Sequence, residues 1–188
     1  TFRIFLSSPG DVPQERNDAQ TVVDEINASR EFKDMFASIE LYRWDDPNVV
    51  LPMPVTDIPQ KSVDIYMTRP SSCDLVIVIF WSRMGSPLKM DEREYLSGTH
   101  YEYSEALGGY EQHGKPIVWL YRCQEKLQID LDDVDFDKKK AQYDRVKAFF
   151  SQFMDEEGRF TGGVNGYATH PDFKALFKNQ LITYLRHL

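Results

Sequence analysis

Between Asp74 and Trp81 the chain reads Leu-Val-Ile-Val-Ile-Phe, six apolar residues without a break. A strand with one solvated face alternates apolar and polar side chains, so a strand apolar on both faces needs cover on both sides. A parallel sheet with helices above and below supplies that cover. The flanking sequence agrees, because strand-like and helix-like segments alternate along it. Residues 2–6 and 39–43 read as strands, and so does 117–121, introduced by Lys115-Pro116. A helix is expected from Val12, where Ala19, Val22, Val23 and Ile26 recur at the i, i+3, i+4, i+7 spacing, with Asp11 as N-cap and Gln14 completing a capping box. Further helices are expected over 61–69 and from about Thr99, the latter with Tyr103, Ala106, Leu107 and Tyr110 as its buried stripe. The fold class is therefore α/β, a doubly wound sandwich on a mostly parallel sheet, with 75–80 and 117–121 at its centre.

The remaining segments are less regular. Residues 44–60 carry prolines at 47, 52, 54 and 59 and read as a long irregular loop. Residues 124–140 are strongly charged and read as solvated surface. Tyr143, Val146, Phe150 and Phe153 mark an amphipathic helix, 158–170 a Gly-rich loop, and Phe173, Leu176, Phe177, Leu181, Tyr184, Leu185 and Leu188 the apolar face of a last helix. A single domain over 1–188 is expected, with an α/β core at 1–122 and a charged segment plus C-terminal helices at 123–188. The start at Thr1, on a strand and without an initiator Met, reads as a domain excised from a longer chain.

Composition removes several classes of function. The chain has 22 Lys and Arg against 30 Asp and Glu, a net charge of −8, which disfavours nucleic acid as a direct partner. No apolar run approaches bilayer length and no signal peptide precedes the first strand, so no membrane partner is expected. Cys73 and Cys123 lie beside predicted strands and read as reduced interior thiols of a cytoplasmic protein. The histidines at 100, 113, 170 and 187 show no metal-ligand spacing, and no metal site is expected. There is no G-x-S-x-G elbow and no G-x-G-x-x-G turn, and the glycines at 162–166 lack the Lys of a phosphate loop.

Open parallel sheets bind ligands at the carboxyl ends of their strands, often where strand order reverses. Glu102, near the start of the helix that follows strand 75–80, would overhang such a crevice. Thr99-x-x-Glu102 also fits a capping box, which would make the carboxylate a purely local support. Ser7, Ser8, Gly10 and Asp11, between first strand and first helix, could offer backbone N–H groups to a phosphate or a ribose hydroxyl, or form an ordinary turn. Trp44 and Trp81 each follow a strand, where they could stack on a heterocycle or merely cover the sheet end. Arg83 could pair with a phosphate or with surface carboxylates.

Taken together, Phe5-Leu6-Ser7-Ser8-Pro9-Gly10-Asp11-Val12 with Glu15-Arg16, then Cys73-Asp74-Leu75-Val76, then Ser97-Gly98-Thr99-x-x-Glu102, resembles a TIR-like domain family. Its members sit at the N-terminus of large proteins, ahead of nucleotide-binding oligomerisation modules and repeats. The Ser-Gly-Thr-x-x-Glu block also resembles nucleoside 2-deoxyribosyltransferases. The resemblance covers residues 2–122 and the helical tail only loosely. It implies a TIR-like, flavodoxin-like three-layer sandwich with C-terminal helices added. It further implies cleavage of the nicotinamide–ribose bond of NAD+, as substrate rather than cofactor, once copies of the domain associate within an oligomerised host protein. That activity would serve antiviral innate immunity. Glu102 would be catalytic, with Ser7, Ser8, Asp11, Trp44, Trp81, Arg83 and Thr99 around the substrate. The rival expectations are a non-catalytic adaptor for self-association and a deoxyribosyltransferase-like N-glycosidase acting on another nucleoside or nucleotide. The Pro-rich loop and the longer C-terminal helices depart from ordinary TIR domains.

Overall fold

The apolar run at 75–80 is the middle strand of a five-stranded parallel sheet in the computed structural model, which describes residues 1–33, 35, 37–49, 52 and 59–188. In chain order the elements are β1 (Phe2–Ser7), α1 (Pro13–Ala28), α2 (Arg30–Lys33), β2 (Ile39–Arg43), α3 (Pro59–Tyr66), β3 (Leu75–Phe80), β4 (Leu88–Met90), β5 (Arg93–Tyr95), α4 (Gly98–His113), β6 (Ile117–Cys123), α5 (Phe136–Ser151), β7 (Val164–Tyr167) and α6 (His170–Leu185). The sheet order is β2-β1-β3-β6-β7. That is the flavodoxin-like order, and its direction reverses between β1 and β3. The expected α/β fold class is borne out.

Every residue of β3 is buried, as its double-sided apolarity requires. The period-2 geometry of the strands divides the core into two layers. On one face Ile4, Leu6, Ile77 and Tyr121 pack with Val22, Val23 and Ile26 of α1 and Phe173, Phe177 and Leu181 of α6. On the other, Phe5, Val76, Val78 and Leu120 meet Ala106 of α4 and Val146, Phe149 and Phe150 of α5. Both cysteines are free and buried, and burial pushes the Cys73 thiol up to about 12. No described helix is long and apolar enough to cross a membrane.

Several local expectations need correction. Helix α1 is capped by Val12 without a side-chain bond, so Asp11 is no N-cap and Gln14 completes no box. The Gly-rich stretch contains β7, paired with β6 at the sheet edge. Residues 88–95 form a hairpin whose turn, Asp91-Glu92, has positive φ at both positions, a conformation usually marked by Gly or Asn. The stripe of α4 against the sheet is Thr99, Glu102, Ala106 and Gly109, while Tyr110 is 48 % exposed. Small side chains let this helix approach closely: a Cβ on Gly109 would lie 3.1 Å from Ser71 Cβ. Helix α3 starts at Pro59, inside the loop expected over 44–60, and Pro54 of that loop lies outside the described residues.

Candidate active site at the ends of β1 and β3

Ser7 is the last residue of β1, and strand alternation puts it on the Phe5 side, beneath α4. Its hydroxyl donates to Glu102 Oε2 at 2.5 Å. Gln60, on α3, donates from Nε2 to Glu102 Oε1 at 3.0 Å, and the same amide lies 3.4 Å from Asp64 Oδ1. Both carboxylate oxygens are thus held, one from the sheet and one from α3. The helix cap is elsewhere: Ser97 Oγ accepts from the His100 amide at 3.1 Å. The capping-box reading of Glu102 is therefore overturned. With the helix starting at Gly98, Glu102 lies beyond the first turn, and its spacing of three from Thr99 and four from Ala106 puts it on the buried stripe and not at the rim. There, burial pushes its carboxyl up to about 7, with the Ser7 and Gln60 hydrogen bonds pulling the other way and the charges of Asp64 and Glu105 adding to the rise.

Glu102 lines a cleft of about 450 Å³ together with Ser8, Trp44, Gln60, Arg83 and Thr99. The turn after β1 is braced from below. Buried Arg16 donates to Ser8 Oγ at 3.1 Å and to the Pro9 carbonyl at 2.8 Å, and its Nε pairs with Asp45 at 2.6 Å. Trp44 Nε1 donates to the Ser8 carbonyl at 3.2 Å, and the Arg16 guanidinium lies 5.1 Å from the indole centre. The indole is fixed yet 45 % exposed, which leaves a ring face at the cleft mouth. On the other wall the Gln60 side chain lies close over the start of α4, since a Cβ on Gly98 would fall 2.6 Å from Gln60 Oε1.

Of the residues singled out in the sequence, Ser7, Ser8, Trp44, Arg83, Thr99 and Glu102 come together here. Asp11 and Trp81 do not line this cleft. Asp11 Oδ2 accepts from the Ser82 amide and hydroxyl, both at 2.9 Å, tying the turn after β1 to the turn after β3. Trp81 packs against the core layer under α1 and α6 and donates to the Glu125 carbonyl at 3.0 Å. Gln60 escaped the sequence reading because it sits in a Pro-rich stretch with no periodicity to place it. Arg145 escaped too: from α5 it donates to the Gly85 carbonyl at 2.8 Å and to the Leu96 carbonyl at 2.5 Å. Gln142 adds bonds to the Met84 and Gly85 amides, both at 2.9 Å. Among the described residues no group of three His, Cys, Asp or Glu side chains is arranged to hold a metal ion.

The arrangement offers one ionisable carboxylate, poised to exchange its proton near neutrality, above a shaped hollow with an aromatic face at its entrance. Such a group can stabilise a developing positive charge or grip a pair of hydroxyls. A family model described as a domain of unknown function (DUF4062) matches residues 3–181. No curated protein matches the chain.

Proposed function

The chain belongs to that family of unknown function, DUF4062, and we propose that it is an enzyme that hydrolyses the nicotinamide–ribose bond of NAD+. The observation that carries this reading is the Glu102 carboxylate, held by Ser7 and Gln60 in a cleft at the switch point of the sheet. In the reaction the C1′–N bond breaks and its electron pair leaves with nicotinamide, which departs neutral because it was bound as a cation. No general acid is needed for that departure. Ionised Glu102 stabilises the oxocarbenium character left on the ribose or holds its hydroxyls. Water adds to C1′, its proton passes to the carboxylate or to solvent, and ADP-ribose is released. Ser7 positions Glu102, Ser8 and Thr99 flank the ribose, and the exposed face of Trp44 stacks on a heterocycle. Copies of the domain associate through a larger host protein in the cytoplasm, and the loss of NAD+ serves antiviral defence.

Nicotinamide release by the protein forced into oligomers tests this, beside Glu102→Gln. The amide keeps partners for Ser7 and Gln60 but cannot carry the charge, so release falls by roughly 100- to 1,000-fold. Release unchanged in the variant would falsify the assignment. Base release from other nucleosides or nucleotides, with NAD+ intact, selects the transferase-like N-glycosidase. If nothing is cleaved, the domain is an adaptor for self-association.

A further inference from the structure

Beyond Arg83 the cleft adjoins a second hollow of about 800 Å³, and Arg83 lines both. The turn after β1 separates them, with Gly10 on one side and Asp11 on the other. The far wall belongs to α5 and the segment before it: Lys138, Lys139 and Arg145, with Leu127 and Ile129 as apolar patches. Against a net charge of −8 for the chain, four cations here face two carboxylates, Asp11 and Asp135. The cations differ in how they are engaged. Arg145 is committed to backbone carbonyls. Lys138 pairs with Asp135 at 2.9 Å and Lys139 pairs with Asp133, but these are exposed pairs that a stronger anion displaces at little cost. Arg83 is exposed and has no hydrogen bond or ion pair among the described residues.

We propose that this second hollow receives the phosphate-bearing remainder of the substrate, with a diphosphate at Arg83 and the distal nucleoside between the α5 lysines and the Leu127–Ile129 wall. The proposal rests on the reading of Glu102 as the ribose site, because it runs the chain of the substrate from that ribose outwards. Arg83 stands where the two hollows meet, and its forked donors suit phosphate oxygens. Lys138 and Lys139 add point charges beside it, and the apolar wall accepts a base. The substrate class is thereby narrowed to a dinucleotide, as opposed to a free nucleoside.

The test is equilibrium binding of inorganic pyrophosphate and of ADP-ribose to the protein, measured by calorimetry. Lys138→Glu/Lys139→Glu is compared with Arg30→Glu/Lys33→Glu, an equal charge change at exposed positions of α2, which precedes the start of β2 and lies away from the carboxyl ends of the strands. Both ligands bind the unaltered protein. The α5 reversal weakens them by roughly tenfold or more, and the α2 reversal by less than about twofold. Equal weakening by both reversals, or no binding of either ligand, overturns the subsite. A companion assay follows nicotinamide release by the same proteins forced into oligomers, where the α5 reversal raises KM for NAD+ and spares kcat. Release with an unmoved KM sinks the subsite alone. Selective anion binding without any release sinks the hydrolase reading and leaves the anion site standing.

Discussion

Glu102 is a carboxylate whose environment works against its own charge, and that has two measurable consequences of opposite use. Burial lifts it from 4.5 to about 7, so between those values the native state keeps a proton that the unfolded chain has lost. Its contribution to stability is full at and below the lower value and declines as pH rises to the upper one. Glu105 is pushed up by burial as well and adds a decline of the same sign. Urea unfolding at pH ~4.5 and pH ~8 isolates the share of Glu102: relative to the wild type, Glu102→Gln gains on the order of 2 kcal/mol at the higher pH. For the proposed hydrolysis the expected dependence runs the other way, since that reading requires the ionised form. The value of kcat/KM climbs with pH through about 7, and Gln60→Ala, which removes a hydrogen bond that favours the charge, moves this limb upward. A profile flat from about pH 5.5 to 8.5 would rule out Glu102 as the titrating group. Glu102 was legible as a candidate from its place after an apolar strand. Its partner on α3 was not, because side-chain contacts between distant segments leave no local periodicity.

Among the elements, α5 carries more of the site than its charged sequence suggests. Its outer face, with Lys140, Asp144 and Lys147, is the solvated surface that composition implies. Gln142 and Arg145, on the inner side, hold the backbone at 84–85 and at Leu96, the two stretches that lead from β3 to α4. Removing Arg145 leaves two carbonyls without their charged donor, so Arg145→Ala costs about 1–3 kcal/mol in chemical unfolding. It also speeds amide exchange around 84–97 ahead of the rest of the sheet. Uniform exchange changes across the fold would show that the contact is not a local clamp. The short elements were the ones hidden from sequence. Val164–Tyr167 reads as a turn because Asn-Gly sits inside it, and the β4–β5 turn carries no glycine at all. The long apolar elements were visible for the opposite reason: burial on one or both faces writes a period into the chain that no short edge strand can carry.

For the molecule as a whole, the division into an α/β core and an appended helical tail does not describe how the core is closed. Strand β7 extends the sheet beyond β6, and α6 covers the apolar stripe of α1, with Phe173, Phe177, Leu181 and Leu185 all fully buried. A chain cut after residue 122 would expose the α1 side of the sheet. Such a fragment is expected to bind a hydrophobic dye and to lack near-ultraviolet circular dichroism, while the chain over 1–188 shows neither defect. A truncated fragment with native-like spectra would restore the tail to an accessory. The pairing of α1 with α6 also sets a timetable. Lys178 of α6 meets Glu25 of α1 across 153 residues of sequence, and Arg186, just past α6, meets Glu31 of α2 across 155. During synthesis the first helix therefore emerges long before α6, and while β1, β2 and β3 can meet part of its apolar stripe early, the part that packs on α6 waits through the translation of everything between. A ribosome-associated chaperone has its longest opportunity on this stripe, and any pause placed before α6 prolongs that exposure.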